Sequence, residues 1–379
     1  MFDSLDFERL RGIGWSQALA PQLAELAELA ELADFSDLSS PSSQDGGPAL
    51  RRVTQVQREG LTLHDGHAEH PARLLPALRA ALAAQADAIA CGDWVLASRN
   101  SCGEWWVQQR LTALNQLARR LHDGRDKVTR VVIVSNVDTA LLVMGLDQDY
   151  SLRRLERYVA LVRLAGVAAV VVLSKRDLCV QAEERRLDVQ AMLPPDVAVV
   201  AVNALALQGQ NGPRVALAPW LQHGQTLVLL GSSGAGKSTL TNALLAAEVQ
   251  DTGANRSGDN RGRHTTTVRS LHALPGGACI IDTPGLRSLR LDGVVSELTA
   301  AFEDIAHLAP LCRFRDCQHD AEPGCAVRDA VPAQRLRNFR KLQREARRDT
   351  LTALKRKAQL QQWKSCGREA RVRLQAKRG

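Results

Sequence analysis

The stretch Gly231, Ser232, Ser233, Gly234, Ala235, Gly236, Lys237, Ser238 and Thr239 concentrates the residue types that can hold a phosphate chain. It follows the apolar run TLVLLG (226–231) and opens a helical pattern through Leu245, the strand–loop–helix context of a P-loop. Glycines let successive backbone N–H groups face one anion, and the helix start adds a favourable dipole. Lys237 is expected on the β- and γ-phosphates of a nucleoside triphosphate, and Ser238 on Mg2+. Further on, Asp282-Thr-Pro-Gly285 ends another apolar strand. Asp282 suits the water shell of that metal, and the Gly285 N–H can meet the γ-phosphate and move when it leaves. Between the two lies Gly262-Arg-His-Thr-Thr-Thr267. One of its threonines is expected as a second hydroxyl ligand of Mg2+, with Thr266 favoured over Thr265 and Thr267; the competing reading is a polar surface loop.

Ser174-Lys175-Arg176-Asp177 follows an apolar strand ending at Leu173. A carboxylate there can accept two hydrogen bonds from guanine, from N1–H and the exocyclic amino group, whereas adenine offers neither. The Lys175 stem can lie along the base plane. In isolation SKRD reads as a surface turn; its value comes from following a strand in a nucleotide-binding sheet.

A third cluster is Cys312-x4-Cys317-x-His319-x5-Cys325. Three thiolates and one imidazole suit tetrahedral Zn2+, and four protein ligands leave no open position, so the site is expected to be structural. The other five of the eight cysteines, Cys91, Cys102, Cys179, Cys279 and Cys366, read as ordinary core or surface residues.

The elements that must position these groups fall into four stretches. Residues 1–49 contain LAELAELAELA (23–33) and SSPSSQDGG (39–47), and are expected to be a flexible extension and linker. Residues 50–125 carry the short β-type runs VTQV, LTLHD, AIACGDWVLAS and EWWVQQ, as in a small barrel of the kind that binds nucleic acid. Residues 126–302 alternate strands with helices: VVIVSNVD (131–138), Leu152–Leu164, Val167–Leu173, AVVAVNAL (198–205), TLVLLG and ACIIDTPG. That alternation implies a mostly parallel sheet flanked by helices. Residues 303–379 hold the cysteine cluster and a basic helical tail.

Charge is distributed unevenly. Residues 335–379 contain 16 Lys or Arg and 3 Asp or Glu, a net +13, which leaves −5 on the rest of a chain of total +8. A mildly acidic body with a basic tail points to an anionic partner, nucleic acid before membrane; the bland reading is a solvated charged helix. No segment has the apolar length of a membrane span, and Met1–Leu10 lacks a basic-then-apolar leader, so a cytoplasmic location is expected.

LSKRDL resembles the N/T-K-x-D base motif of GTPases, yet it precedes the P-loop. The order base motif, Val202-Asn203-Ala204, P-loop, GRHTTT, DTPGLR is a circular permutation. With the preceding β-rich stretch and the following CRFRDCQHDAEPGCAV, it is similar to the ribosome small-subunit-dependent GTPase A family of bacterial assembly factors, over about residues 50–345. The resemblance implies a multidomain α/β fold: an N-terminal barrel of oligonucleotide-binding (OB) type, a circularly permuted P-loop GTPase domain and a C-terminal zinc-binding helical domain. It implies GTP and GDP as ligands, Mg2+, one structural Zn2+, and the small ribosomal subunit with its rRNA as partner. No membrane is implied, and a monomer is expected. Asn203 and Ala204 stand at the family's second base-contacting motif, where Ser-Ala is common. Ser174 replaces the usual Asn or Thr, so a loss of contacts bracing the base is expected.

Leu286 follows DTPG, where many GTPases carry a water-positioning glutamine. Leucine cannot orient water, so slow intrinsic hydrolysis is expected, with His264 as the internal candidate for the missing group, a choice that the resemblance supports. Two other readings compete: a nucleotide-gated RNA-binding module with little turnover, and an ATPase, against which Asp177 argues.

Overall fold

The computed structural model describes residues 6–32, 48–57, 60–122, 128–206, 212–245, 269–283 and 302–350. They belong to two compact units, one of residues 1–118 with 131–289 and one of residues 119–130 with 290–379.

The first unit begins with α1 (Phe7–Arg11), a short 3-10 turn and α2 (Ala20–Leu32). Part of the stretch expected to be a flexible extension is therefore built into the fold: Leu10, Ile13, Trp15 and Leu19 are all buried. Trp15 meets Trp94 edge-on, with ring centroids 5.0 Å apart. The buried apolar residues are irregularly spaced and lie just ahead of the low-complexity repeat, whose uniform pattern dominates this stretch of sequence. Residues 33–47 lie outside the described residues.

Five strands follow: β1 (Ala49–Val56), β2 (Leu61–His64), β3 (Glu69–Leu74), β4 (Trp94–Arg99) and β5 (Trp105–Arg110). They pair in the order β1-β2-β3-β5-β4, and β4 closes back onto β1, so the barrel has no free edge. Only the β3–β5 pairing is parallel, and α3 (Pro76–Ala84) connects β3 to β4. This is OB connectivity. Bulges in β1 between Val53 and Gln55, and in β5 at Gln108 opposite Leu96 and Ala97, give the local bend that closure requires. Alternate residues Val53, Leu63, Val95, Ala97 and Val107 fill the interior.

β6 (Gln116–His122) and β7 (Val128–Ser135) form a separate two-stranded sheet. The run VVIVSNVD, expected as the first strand of the parallel sheet, thus supplies β7 instead. Asn136, at φ +54°, turns the chain, and the strand that enters the parallel sheet is β8 (Thr139–Gly145), buried along its whole length. β9 (Ala168–Ser174), β10 (Ala198–Ala201), β11 (Thr226–Leu230), β12 (Ser270–Ala273) and β13 (Cys279–Asp282) complete the order β10-β9-β8-β11-β13-β12. All pairings are parallel except β12 with β13. α4 (Leu152–Leu164) crosses from β8 to β9, α5 (Ala182–Met192) from β9 to β10, the short α6 (Pro213–Ala216) precedes β11, and α7 (Lys237–Leu245) follows it. The core is Leu141, Val143, Val170, Val172, Leu227, Leu229 and Ile280, the continuous apolar content of strands covered on both sides. Among the described residues, a single pairing, Gln55 with Ser270, joins the barrel to this sheet.

Arg52 of β1 is fully buried at that junction. Its guanidinium donates to the Ile13 carbonyl, to the Thr226 hydroxyl at 2.9 Å and to the Asn136 carbonyl at 3.0 Å. A buried cation is tolerated only with its donors satisfied, so this contact set fixes the N-terminal segment, the barrel and the first residue of β11 together.

In the second unit, α8 (Glu303–Leu308), α9 (Ala326–Ala330) and α10 (Ala333–Thr350) surround the cysteine segment. Arg335 grips Asp304 through two hydrogen bonds of 2.6 and 2.8 Å, and Phe302 packs edge-on against Phe339. Arg340 donates to Asp320 at 2.8 Å, tying α10 to the cysteine loop. Among the described residues, no helix is long and apolar enough to cross a membrane.

Candidate functional site

Because β8, β9, β10, β11 and β13 run parallel, the loops that follow them all leave the same edge of the sheet. In open α/β sheets, ligands bind at that carboxyl edge. The loop after β11 is the glycine-rich segment. A Cβ on Gly231 would stand 2.3 Å from the Val143 carbonyl oxygen, so only glycine lets this loop start against β8. Gly236, at φ +91°, makes the last turn before α7. Lys237 is buried, and its Nζ donates to the carbonyls of Gly231 at 3.1 Å and Ser232 at 2.8 Å. Burial pulls this ammonium below its ordinary range, opposed by the charges of Asp282 and Asp149. Ser238 and Thr239 sit half-buried in the first turn of α7. Asp282 is fully buried at the end of β13, and the Thr283 hydroxyl donates to the Leu229 carbonyl at 2.6 Å, tying β13 to β11 beside the loop. His264, Thr266 and Gly285 lie outside the described residues.

The loop after β9 carries Ser174 to Asp177. The Ser174 hydroxyl donates to the Ala235 carbonyl of the glycine-rich loop at 2.6 Å. The short Ser174 side chain thus links this loop to the glycine-rich loop. Lys175 takes the left-handed conformation, φ +59° and ψ +38°, which starts the 3-10 turn Arg176–Leu178 and leaves Asp177 exposed. The Arg176 N–H donates to the Val202 carbonyl at 3.3 Å, joining this turn to the loop after β10. There the Asn203 side chain accepts from the Leu205 N–H at 3.0 Å, and Ala204 is buried.

Two further carboxylates stand in the loop after β8, which sequence reasoning did not single out. Asp147 pairs with Lys175 Nζ at 2.6 Å. Asp149 accepts from the Ser232 hydroxyl, from Arg154 at 2.6 Å and from the Gly145 N–H at 3.2 Å. Their sequence signal was only that of acidic residues ahead of a helix, a common helix-start pattern.

In the second unit, the ligand atoms of Cys312, Cys317, His319 and Cys325 all lie within 4.8 Å of one another. His319 Nδ1 is 3.6 Å from Cys312 Sγ and 3.5 Å from Cys325 Sγ, and those two sulfurs are 3.9 Å apart. Ideal tetrahedral zinc bond lengths imply sulfur–sulfur separations of about 3.8 Å and sulfur–nitrogen separations of about 3.5 Å. The donor set and its spacing fit that ion. The Cys325 sulfur also accepts from the Arg328 N–H at 3.3 Å, capping α9, so the cluster is fixed to the helix that follows it.

Comparison with known proteins agrees with this order of motifs. The RsgA GTPase family model matches residues 112–292. A small ribosomal subunit biogenesis GTPase RsgA from Xylella fastidiosa (strain M23) is 47% identical over 259 residues, 67% of this chain and 74% of that protein. A relative from Vibrio vulnificus (strain CMCP6), small ribosomal subunit biogenesis GTPase RsgA 2, is 44% identical over 259 residues, 67% of this chain and 71% of its own. Among solved structures, YjeQ from Thermotoga maritima aligns with a TM-score of 0.57 at 23% identity, covering 79% of this chain and 98% of that one. YloQ, described as a circularly permuted GTPase, aligns with a TM-score of 0.55 at 21% identity, covering 82% of this chain and 99% of its own. The Ser174–Asp177 turn ahead of the glycine-rich loop, the OB barrel before both and the cysteine–histidine cluster after them thus belong to one architecture, and the chain is a member of the RsgA GTPase family, a circularly permuted GTP hydrolase.

Proposed function

We propose that this protein hydrolyses GTP as a late assembly and quality-control factor of the small ribosomal subunit, and that the subunit stimulates its turnover. The observation that carries the reading is the joining of base turn and glycine-rich loop by the Ser174–Ala235 hydrogen bond, at the carboxyl edge of a sheet in a chain of this family. In this reading Asp177, Lys175, Asn203 and Ala204 hold guanine. Gly231 to Thr239 cradle the phosphates, with Lys237 as the cation. Ser238 and Thr266 offer hydroxyls to Mg2+, Asp282 holds its water shell, and Gly285 senses the γ-phosphate. The hard oxygen donors Ser238 and Asp282 suit that ion, which when bound neutralises charge on the β- and γ-phosphates. The protein acts in the cytoplasm, as a monomer.

Contact with rRNA is supported by guanidinium–indole pairs on the barrel: Arg99 lies 4.9 Å from the centre of the partly buried Trp105, and on the other side of β5 Arg73 lies 5.9 Å from that of Trp106. Guanidinium and indole groups side by side suit a nucleic-acid backbone and its bases. The test is multiple-turnover phosphate release against small-subunit concentration. Turnover should rise with subunit occupancy; a flat response across the binding range would reject the ribosomal reading.

Two further results are expected. Asp177→Asn should weaken GDP binding by about a hundredfold and shift preference to xanthine nucleotides, because one acceptor position becomes a donor. Competition by GDP, XDP and ADP measures this, and equal GDP and ADP affinity in the wild type would reject Asp177 as the guanine reader. Elemental analysis of freshly purified protein should find one zinc per chain. Chelation should expose the second unit to protease, because structural metal binding is coupled to folding. A metal-free, protease-resistant preparation would contradict this.

A further inference from the structure

The turn after β8 makes contacts that the reading above does not use. Asp147 and Asp149 belong to one tight turn: the Asp149 N–H donates to Asp147 Oδ1 at 3.0 Å. The two carboxylates then diverge. Asp147 Oδ2 receives Lys175 Nζ at 2.6 Å, on the side of the base turn. Asp149 receives the Ser232 hydroxyl, on the side of the glycine-rich loop. Asp149 is itself held by Arg154 and the Gly145 N–H, so it is a fixed acceptor. Burial pushes the Asp147 carboxyl up, but the hydrogen bonds from Lys175 and Asp149 outweigh it and hold it below its ordinary range. Asp147 is therefore charged at neutral pH. Its partner Lys175 has a left-handed backbone and a long side chain, with many rotamers open to it. An anchored ammonium restricts those rotamers before any ligand arrives, which lowers the ordering cost of binding.

We propose that the Asp147–Asp149 turn positions the GTP site in two separable halves, Asp147 acting through Lys175 on the base and Asp149 acting through Ser232 on the phosphates. The inference rests on the assignment of the base turn and glycine-rich loop as that site. Both carboxylates are positioning residues, since each acts through another side chain.

The test displaces a fluorescent GDP analogue from the full-length protein with two half-ligands, guanosine and pyrophosphate. Asp147→Asn should weaken guanosine by about three- to tenfold and leave pyrophosphate unchanged, the scale of one hydrogen bond at a partly exposed position. Ser232→Ala, which spares the turn itself, and Asp149→Asn should do the reverse. In a Lys175→Met background, Asp147→Asn should have no further effect on guanosine. A purely structural turn would move both half-ligands together in every variant. Equal losses on both half-ligands, no loss on either, or a full additional loss in the Lys175→Met background would each overturn the inference while leaving the GTP site intact. A wild-type protein that fails to bind GDP would overturn both.

Discussion

Lys237→Ala should lower the rate of GTP hydrolysis by at least about a hundredfold, the scale seen when one preorganised donor to a developing charge is removed. The ammonium is held in place by carbonyls of the loop it serves, 3.1 Å from Gly231 O and 2.8 Å from Ser232 O. It is buried and faces the charges of Asp282 and Asp149, so it sits in an environment where electrostatic interactions are little screened. A phosphate chain in the cradle would offer it stronger acceptors than two backbone carbonyls. Alanine removes that cation without changing the glycines that shape the loop. The folded state should survive, and apo thermal unfolding should report this independently of turnover. Single-turnover phosphate release at saturating GTP is the measurement. Activity within threefold of wild type in a folded variant would mean that Lys237 does not contact the transferred phosphate.

The sequence was most legible where chemistry is local. A glycine-rich loop between an apolar strand and a helix is a run of backbone constraints, and Gly231 and Gly236 occupy positions that their neighbours in the chain already imply. The cysteine–histidine cluster was legible for the same reason, since its four donor residues fall within one short segment. Long-range contacts left no such trace. Asp149 meets Ser232 across 83 positions, and Asp147 meets Lys175 across 28; both pairings exist only because β8 lies between β9 and β11. Arg52 reads as a surface residue in an alternating strand, yet it is fully buried against Ile13, Asn136 and Thr226. The strand β3, EHPARL, was missed because a proline and three charged or titratable residues hide its period, and its burial follows the barrel rather than its own composition. β8 was missed because one apolar run, VVIVSNVDTALLVMG, supplies two strands broken only by the left-handed turn at Asn136.

His264→Ala should abolish most of the turnover gained from small subunits, a loss on the order of a hundredfold or more, while leaving nucleotide affinity within about twofold of wild type. The argument begins from Leu286, which follows the DTPG segment and cannot hydrogen-bond a water molecule. A GTPase without an orienting group at that position needs one from elsewhere. His264 stands in the sequence beside Thr265, Thr266 and Thr267, between the glycine-rich loop and DTPG, where a segment that closes on the γ-phosphate would carry it to the reacting centre. Imidazole near neutral pH can both accept and donate a proton, so it can orient and activate water. Subunit binding would favour the closed arrangement, and stimulation would then depend on the imidazole and basal binding would not. The decisive readout is paired: affinity for a fluorescent GTP analogue, and phosphate release at saturating subunit. Loss of both together would point to a damaged fold, which the unfolding midpoint would reveal. Retained stimulation in a His264→Ala protein that binds GTP normally would remove the histidine from the mechanism and direct the search to a group supplied by the ribosome.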